Sequence, residues 1–182
     1  MIDAGISAVE FIAVNTDIQA LHMSDASVKI HIGRELTQGL GSGSDPSVGR
    51  ASAEEGYDQL KHALRGADMV FVAAGEGGGT GTGEAPVIAR VAKEMGILTV
   101  GVITKPFDFE GPKRMANADA GLAELEQNVD SLIVVLNEKL QEVLGDDITQ
   151  EEAFAHANDV LKNAVGGIAE IINVPGHVNV DF

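Results

Sequence analysis

The 182-residue sequence contains no cysteine and few basic residues. The absence of cysteine excludes disulfide bonds, thiolate metal sites and cysteine nucleophiles. Lysine and arginine together number 12 against 28 aspartate and glutamate residues, and the formal net charge is −16. Because such a surface repels nucleic acids and anionic membranes, we expect no nucleic acid among the partners. Keeping the protein in solution is an equally good explanation of the acidity.

Long apolar runs are also absent. No run approaches the roughly 18 residues of a membrane-spanning helix, and the first residues do not resemble a signal peptide, so we expect a cytoplasmic protein without direct membrane insertion. The five histidines do not have the spacing of metal ligands, so no metal-binding side chains are predicted. The composition, with 45% hydrophobic and 22% charged residues, is typical of one globular domain over residues 1–182.

Predicted strands and helices alternate along the chain. Continuous apolar runs predict strands buried on both faces at Phe11–Val14, Met69–Ala74, Leu98–Ile103 and Leu132–Leu136. Helical patterns cover Ala51–Leu64, Ala85–Met95, Pro112–Gln127 and Glu138–Leu144. This order predicts an α/β fold with a Rossmann-like, doubly wound parallel sheet.

A further helix, with its core at about residues 158–173, is apolar over a wide arc. Two adjacent apolar stripes predict a helix that is buried on more than one side. Thr149 and Glu152 fit a capping box before it, and Pro175 stops it. Both ends of the sequence look cut, because no strand comes before the first residues and the last residues lie in a loop.

Glycine is in excess, with 22 of 182 residues, and ten of these glycines lie in two stretches, Gly39–Gly49 and Gly75–Gly83. The second stretch directly follows a predicted strand and directly precedes a predicted helix. This arrangement binds phosphate, because bare amides approach closely and the helix dipole favours an anion. The loop lacks the lysine of a P-loop and the G-x-G-x-x-G spacing of a dinucleotide site.

The string Gly-Gly-Gly-Thr-Gly-Thr-Gly at residues 77–83 resembles the signature loop of the tubulin/FtsZ family of GTPases. Further segments resemble that family in the same order, at residues 11–17, 39–50, 104–111, 157–161 and 179–182. The resemblance covers the whole chain and implies the family's nucleotide-binding domain, ending after its long central helix. It also implies that the first strand, which lies in the middle of the family's sheet, and the second domain are missing from this sequence.

The resemblance implies that GTP or GDP is bound, with Mg²⁺ held on the phosphates. The residues implied for the α- and β-phosphates lie in the second glycine stretch: Gly78, Gly79, Thr80 and Gly81. Thr82 and Gly83 of the same stretch are also implied to bind the nucleotide. Those implied for the γ-phosphate lie in the first: Gly41, Ser42 and Gly43. Both sets contribute amides and hydroxyl groups rather than positive charge.

The same resemblance implies the contacts with the nucleoside. Glu110 and Arg114 would bind the ribose side, and Phe154 would stack on the base. Asn137 and Asp159 would recognise guanine, since a carboxylate accepts hydrogen bonds from both of its N–H groups. Viewed singly, these residues have simpler explanations: an ion pair on a helix surface, a core aromatic ring and a charge near a helix start. Leu136-Asn137-Glu138 stands where Pro-Asn-Asp is commoner in the family.

Asn179 and Asp181 resemble the start of the loop, here residues 177–182, that one subunit of the family inserts beside the next subunit's nucleotide. This implies hydrolysis of GTP to GDP and phosphate in head-to-tail filaments of the bacterial division ring at mid-cell. Other division proteins would bind through regions outside this sequence. Two other hypotheses stay open, a nucleotide-binding fragment without turnover and a metabolic α/β enzyme that uses a dinucleotide.

Overall fold

The structure, a computed structural model, describes residues 9–145 and 147–173, with side chains as far as residue 168. In this part of the chain the strands form two parallel sheets. One contains β1 (Ile12–Asn15) and β2 (Val28–His31), and the other has the order β3 (Met69–Gly75), β4 (Leu98–Lys105) and β5 (Ser131–Leu136). Neighbouring strands are parallel throughout, so connections cross from the end of one strand to the start of the next.

The predicted α/β class with parallel strands is confirmed, and the four predicted strands match β1, β3, β4 and β5 within a few residues. Strand β2 is not predicted because it has only four residues and Lys29 interrupts its apolar run.

The helices connect these strands. Their bounds are α1 (Ile18–His22), α2 (Arg34–Thr37), α3 (Pro46–Glu55), α4 (Tyr57–Leu64), α5 (Thr80–Glu94), α6 (Pro112–Glu126), α7 (Asn137–Leu144) and α8 (Gln150–Asn173). A short 3₁₀ turn at Asp108–Glu110 precedes α6.

Two helices differ from their predicted bounds. The predicted helix at Ala51–Leu64 is divided at Gly56, where a Cβ atom would lie 2.6 Å from Cγ2 of Ile32. The chain turns there because only a glycine permits this close approach to Ile32, the residue that follows β2. Helix α5 begins at Thr80, inside the glycine stretch, because packing overrides the poor helix propensity of glycine.

The predicted capping box is confirmed at the start of α8. The Glu152 amide donates to Oγ1 of Thr149 at 3.2 Å, and the Thr149 amide donates to Oε2 of Glu152 at 3.2 Å. One stripe of α8, with Leu161 and Val165, packs against β4 and β5. Within the described residues, the other stripe is only partly covered, because Val160 and Gly167 are exposed.

Helix α5 packs against both sheets, so it holds them together. Its Val87 belongs to a core cluster with Ile30 of β2, and its Ala89 packs with Val72 and Ile103 of β3 and β4. The start of α5, where the glycine stretch ends, therefore lies between the two sheets.

None of the helices in residues 9–145 and 147–173 combines the length and the hydropathy needed to cross a membrane.

Candidate functional site

A cavity of about 420 Å³ lies at the carboxyl ends of β3 and β4. In an open parallel sheet, ligands bind in the crevice outside these strand ends. The residues that line the cavity come from the loop after β3, the end of β4, the segment before α6, and helices α6, α7 and α8: Gly75, Glu76, Gly78, Thr104, Pro106, Glu110, Arg114, Asn137, Phe154, Ala157 and Asn158. Five of the residues predicted to bind nucleotide are among them: Gly78, Glu110, Arg114, Asn137 and Phe154.

The loop after β3 is shaped by internal contacts. The Gly77 amide donates to Oγ1 of Thr82 at 2.8 Å, so this residue, which is predicted to bind the nucleotide, has its hydroxyl oxygen engaged within the loop. Gly77 has a φ of +112°, and a Cβ atom there would lie 2.7 Å from Cγ of Pro106. The backbone therefore turns tightly before Gly78, which lines the cavity.

The two glycine stretches contact each other. Oγ1 of Thr80 lies 3.1 Å from Oγ of Ser42 and 3.0 Å from Oγ1 of Thr16. A Cβ atom on Gly79 would collide with Oγ of Ser42 and lie 2.5 Å from the Asp45 amide. The structure thus brings together the two loops predicted to bind phosphate, although Gly78 is the predicted phosphate residue that lines the cavity itself.

The remaining glycines of the two stretches have different roles. Gly41 and Gly43 have φ values of +88° and +62°, in the left-handed region that favours glycine. A Cβ atom on Gly81 would collide with the Gly75 carbonyl oxygen, and one on Gly83 would lie 2.6 Å from the Arg50 amide in α3. Gly81 and Gly83 therefore serve close packing around the start of α5, rather than lining the cavity.

The glycine end of the cavity has little positive charge. Arg114 is the one basic residue among those that line the cavity. Helix α5, which is 15 residues long, begins at Thr80 and contributes the positive end of its dipole and its free amides. An anion at this end would therefore be bound mainly by main-chain amides.

Glu76 differs from the other residues of the loop after β3, which are uncharged glycines and threonines. Its side chain is 5% exposed, and neither carboxylate oxygen has a full hydrogen bond among the described residues. Burial raises the pKa of Glu76 to about 7, the charge of Glu124 adds to the rise, and the nearby Thr82 hydroxyl offsets part of it. No motif in the sequence indicates this buried acid.

An aromatic cluster contributes one ring, Phe154, to the wall of the cavity. The rings of Phe107 and Phe109 stack with centroids 5.0 Å apart, and Phe154 meets them edge-on at 5.5 and 5.9 Å. Phe107 is fully buried, whereas Phe154 remains 41% exposed on the cavity side of α8. Packing therefore fixes the orientation of a ring that keeps a free surface for a planar ligand.

Glu110 and Arg114 form the predicted pair, with Nη1 of Arg114 3.2 Å from Oε1 of Glu110. The other carboxylate oxygen of Glu110 accepts a hydrogen bond from the Phe107 amide at 2.8 Å. The Glu110 side chain is only 13% exposed, which distinguishes the pair from an ordinary one on a helix surface. Through the Phe107 amide, the pair connects the aromatic cluster to the cavity wall, which Glu110 and Arg114 themselves line.

Two asparagines provide polar groups near the aromatic wall. Asn137 begins α7, is 4% exposed, and has no hydrogen-bond partner for Oδ1 among the described residues. Asn158 of α8 also lines the cavity. Its neighbour Asp159, the predicted guanine ligand, is exposed and does not line the cavity. Asn158 therefore contacts the cavity, and the guanine-binding role of Asp159 stays a prediction.

The predicted catalytic residues Asn179 and Asp181 lie outside the described residues, so their roles stay predictions. Within the described ranges, no three His, Asp or Glu side chains form a group suited to a metal ion. The residues present therefore fit a Mg²⁺ ion only if nucleotide phosphates provide most of its ligands.

Sequence reasoning missed several residues that line the cavity. Thr104 lies at the end of β4 and Pro106 directly follows it, so the carboxyl-end rule for parallel sheets identifies both once that strand is located. Thr16 does not line the cavity, but it is fully buried beside Thr80 and follows β1 in the same way. Asn158 is missed because a one-residue change along a helix turns a side chain by about 100°.

Comparison with known proteins identifies the class to which this cavity belongs. Residues 4–145 match the model of the tubulin/FtsZ family, GTPase domain. The chain belongs to the tubulin/FtsZ family, and the resemblance seen in the sequence is confirmed.

Individual relatives agree with this assignment. The chain is 58% identical over all of its 182 residues to a cell division protein FtsZ from Wigglesworthia glossinidia brevipalpis, of which it covers 47%. An FtsZ structure from M. jannaschii, titled as an empty dimer, matches 99% of the chain with a TM-score of 0.94 at 47% identity, and 52% of that protein is covered. A structure of CetZ2 from Haloferax volcanii, titled as a protofilament with GTPγS bound, matches 94% of the chain with a TM-score of 0.81 at 27% identity, over 54% of its own length. The chain thus spans about half the length of these relatives.

Proposed function

We propose that this chain is the guanine-nucleotide-binding part of a GTPase that polymerises head to tail in the bacterial division ring. The observation that supports this most directly is the cavity at the carboxyl ends of β3 and β4, with glycine amides at one end and Phe154, Asn137 and Asn158 at the other. Phosphates require the first set of groups, and a polar aromatic base requires the second.

Preference for guanine rests on Asn137. Its buried Oδ1 atom is an acceptor without a partner among the described residues, and guanine presents N1–H and N2–H donors on one edge. Adenine lacks this pair of donors, so it would leave the oxygen unpaired at a cost of about 1–3 kcal/mol. GTP and GDP are therefore the proposed ligands, with Mg²⁺ neutralising the charge of the phosphates when it is bound.

Hydrolysis is proposed to need two subunits. The sequence resemblance assigns Asp181 to a loop that acts on the neighbouring subunit's nucleotide, and α8, at 1.5 Å per residue over its 24 residues, is about 36 Å long. Head-to-tail contacts between subunits are heterologous, and such contacts generate open filaments. The dimer and the protofilament among the structural relatives support self-association.

Complementation between two variants tests this proposal in the full-length protein. Asp181→Ala should bind GTP normally and hydrolyse it slowly, whereas Gly79→Ser should fail to bind. A mixture should recover part of the activity, because each variant supplies the half that the other lacks. A GTPase rate per molecule that stays constant on dilution would contradict a site built from two subunits.

The family resemblance is also the basis for two further parts of the proposal. They are binding to other proteins of the division ring and location at mid-cell.

A further inference from the structure

One buried group at the cavity has no part in the proposed function. Glu76 lies between the end of β3 and Gly77, and it lines the cavity with Gly78. A carboxylate is the wrong charge for a pocket that receives phosphates, because two anions in a poorly solvated site repel each other strongly. The position of Glu76 therefore has to be reconciled with anion binding.

Among the described residues, the surroundings of Glu76 give it no counter-ion. Its Oε2 atom lies at the contact between α5 and α6, 2.6 Å from where a Cβ atom on Gly121 would stand. The charge that acts on it is another acid, Glu124 of α6, which is itself paired with Arg50 of α3. Arg114, whose backbone packs beside Gly77, is paired with Glu110.

We propose that the glycine loop binds nucleotide phosphates only when Glu76 is protonated, so that binding at this site takes up a proton. The inference rests on the proposed nucleotide-binding function and adds a regulation of the same site by pH. Protonated Glu76 is a neutral hydrogen-bond donor beside the phosphates, whereas its ionised form adds a negative charge there.

The pH range of this effect follows from the burial of Glu76, which raises its pKa to about 7. The protonated fraction of such a group falls about tenfold between pH 6 and pH 8, so affinity for GDP should fall by roughly the same factor. The change in affinity therefore falls between pH 6 and pH 8, the pH range in which most cytoplasmic proteins work.

The test measures GDP affinity by titration calorimetry from pH 6 to pH 8 for the full-length protein and for Glu76→Gln. Glutamine has nearly the shape of protonated glutamate and does not ionise. Dividing the two profiles removes the titration of the GDP phosphates themselves, which both proteins share. The ratio should change about tenfold across this range.

Two further variants sharpen the test. Glu84→Gln removes another buried acid that is 4% exposed but does not line the cavity, and it should keep the pH profile of the unchanged protein. Glu124→Gln removes the repulsion on Glu76 and releases Arg50, so its profile should move to lower pH. This shift tests the inference even if Glu76→Gln does not fold.

The outcomes separate this inference from the proposed function. Binding of GDP that weakens with pH in the unchanged protein, but not in Glu76→Gln, supports proton uptake. Parallel profiles for the two proteins would overturn the inference and leave the nucleotide site intact. Absence of GDP binding at pH 6 in both folded proteins would overturn the proposed function itself.

Discussion

The two ends of the cavity differ in what forms their walls. At the β3 end the wall is largely main chain, from Gly75 to Gly78, and at the α8 end it consists of the side chains of Phe154, Asn137 and Asn158. Main chain has no alternative rotamers, so a substitution near the first wall displaces whole segments. At the second wall a substitution removes one group and leaves the backbone in place. We therefore expect abrupt losses at the first end and graded losses at the second.

The largest effect is expected from Gly79→Ser. The new Cβ atom would collide with Oγ of Ser42 and press on the Asp45 amide, so the two loops must separate. Affinity for GDP should fall at least about a hundredfold, which is about 3 kcal/mol. Overpacking should also lower the free energy of unfolding by about 1–3 kcal/mol. Calorimetry and denaturant unfolding measure the two effects.

Gly78→Ala and Gly167→Ala are the matched controls. A Cβ atom on either glycine would have no protein atom within 4 Å, and neither residue has a positive φ. Because Gly78 lines the cavity, its variant should lose GDP affinity without losing stability. Gly167 lies on α8 away from the cavity, so its variant should bind GDP normally. Equal losses of stability in Gly78→Ala and Gly79→Ser would contradict the assigned contacts.

An intermediate effect is expected at the side-chain end from Asn137→Ala. The guanine donors would lose a buried acceptor, so GDP affinity should fall by about 1–3 kcal/mol. ADP affinity should change little, because adenine does not use this acceptor, and the preference for guanine should shrink. Competition between the two nucleotides measures this preference directly. Equal losses for GDP and ADP would show that Asn137 supports the fold rather than recognising the base.

A smaller effect separates two neighbours on α8. Asn158 lines the cavity, so Asn158→Ala should weaken GDP binding by about 1 kcal/mol. Asp159 does not line the cavity, so Asp159→Ala should change it by less than about 0.5 kcal/mol. The reverse order would support the guanine-binding role that the sequence resemblance implies for Asp159.

Glu84→Gln should have the smallest effect on binding and a clear effect on stability. Burial raises the pKa of Glu84 from its ordinary value of 4.5 to about 9, so the folded state holds a proton that the unfolded state releases. The stability contributed by this group is fully present below about pH 4.5 and is lost as the pH rises towards 9. Glu84→Gln should therefore be more stable at pH 7 by roughly 1–3 kcal/mol and nearly unchanged at pH 5. Denaturant unfolding at the two pH values measures the difference.

The parts of the site that follow a strand were predictable from the sequence, because a buried strand and a glycine stretch each have a clear local pattern. Gly78 is an example, and Asn137 follows β5 in the same way. The contact between Ser42 and Thr80 joins residues 38 positions apart, and no local pattern reports it. The close approach of Gly56 to Ile32, which divides a predicted helix, was missed for the same reason.

Buried charge was the least predictable feature. Glu76 and Glu84 stand among glycines and threonines, where an acidic residue is normally solvated. Their burial depends on how α3 and α6 cover the start of α5, which is a property of packing between distant segments. Asp159 and Asn158 show a related limit, since one position along α8 decides which side chain lines the cavity.

Titration calorimetry of the full-length protein with GTP and with ATP, at the same pH and salt concentration, tests the central claim most directly. The buried Oδ1 atom of Asn137 predicts that GTP binds at least about tenfold more tightly, since leaving such an acceptor unpaired costs 1–3 kcal/mol. Equal affinity for GTP and ATP in the folded protein would contradict a site that recognises guanine.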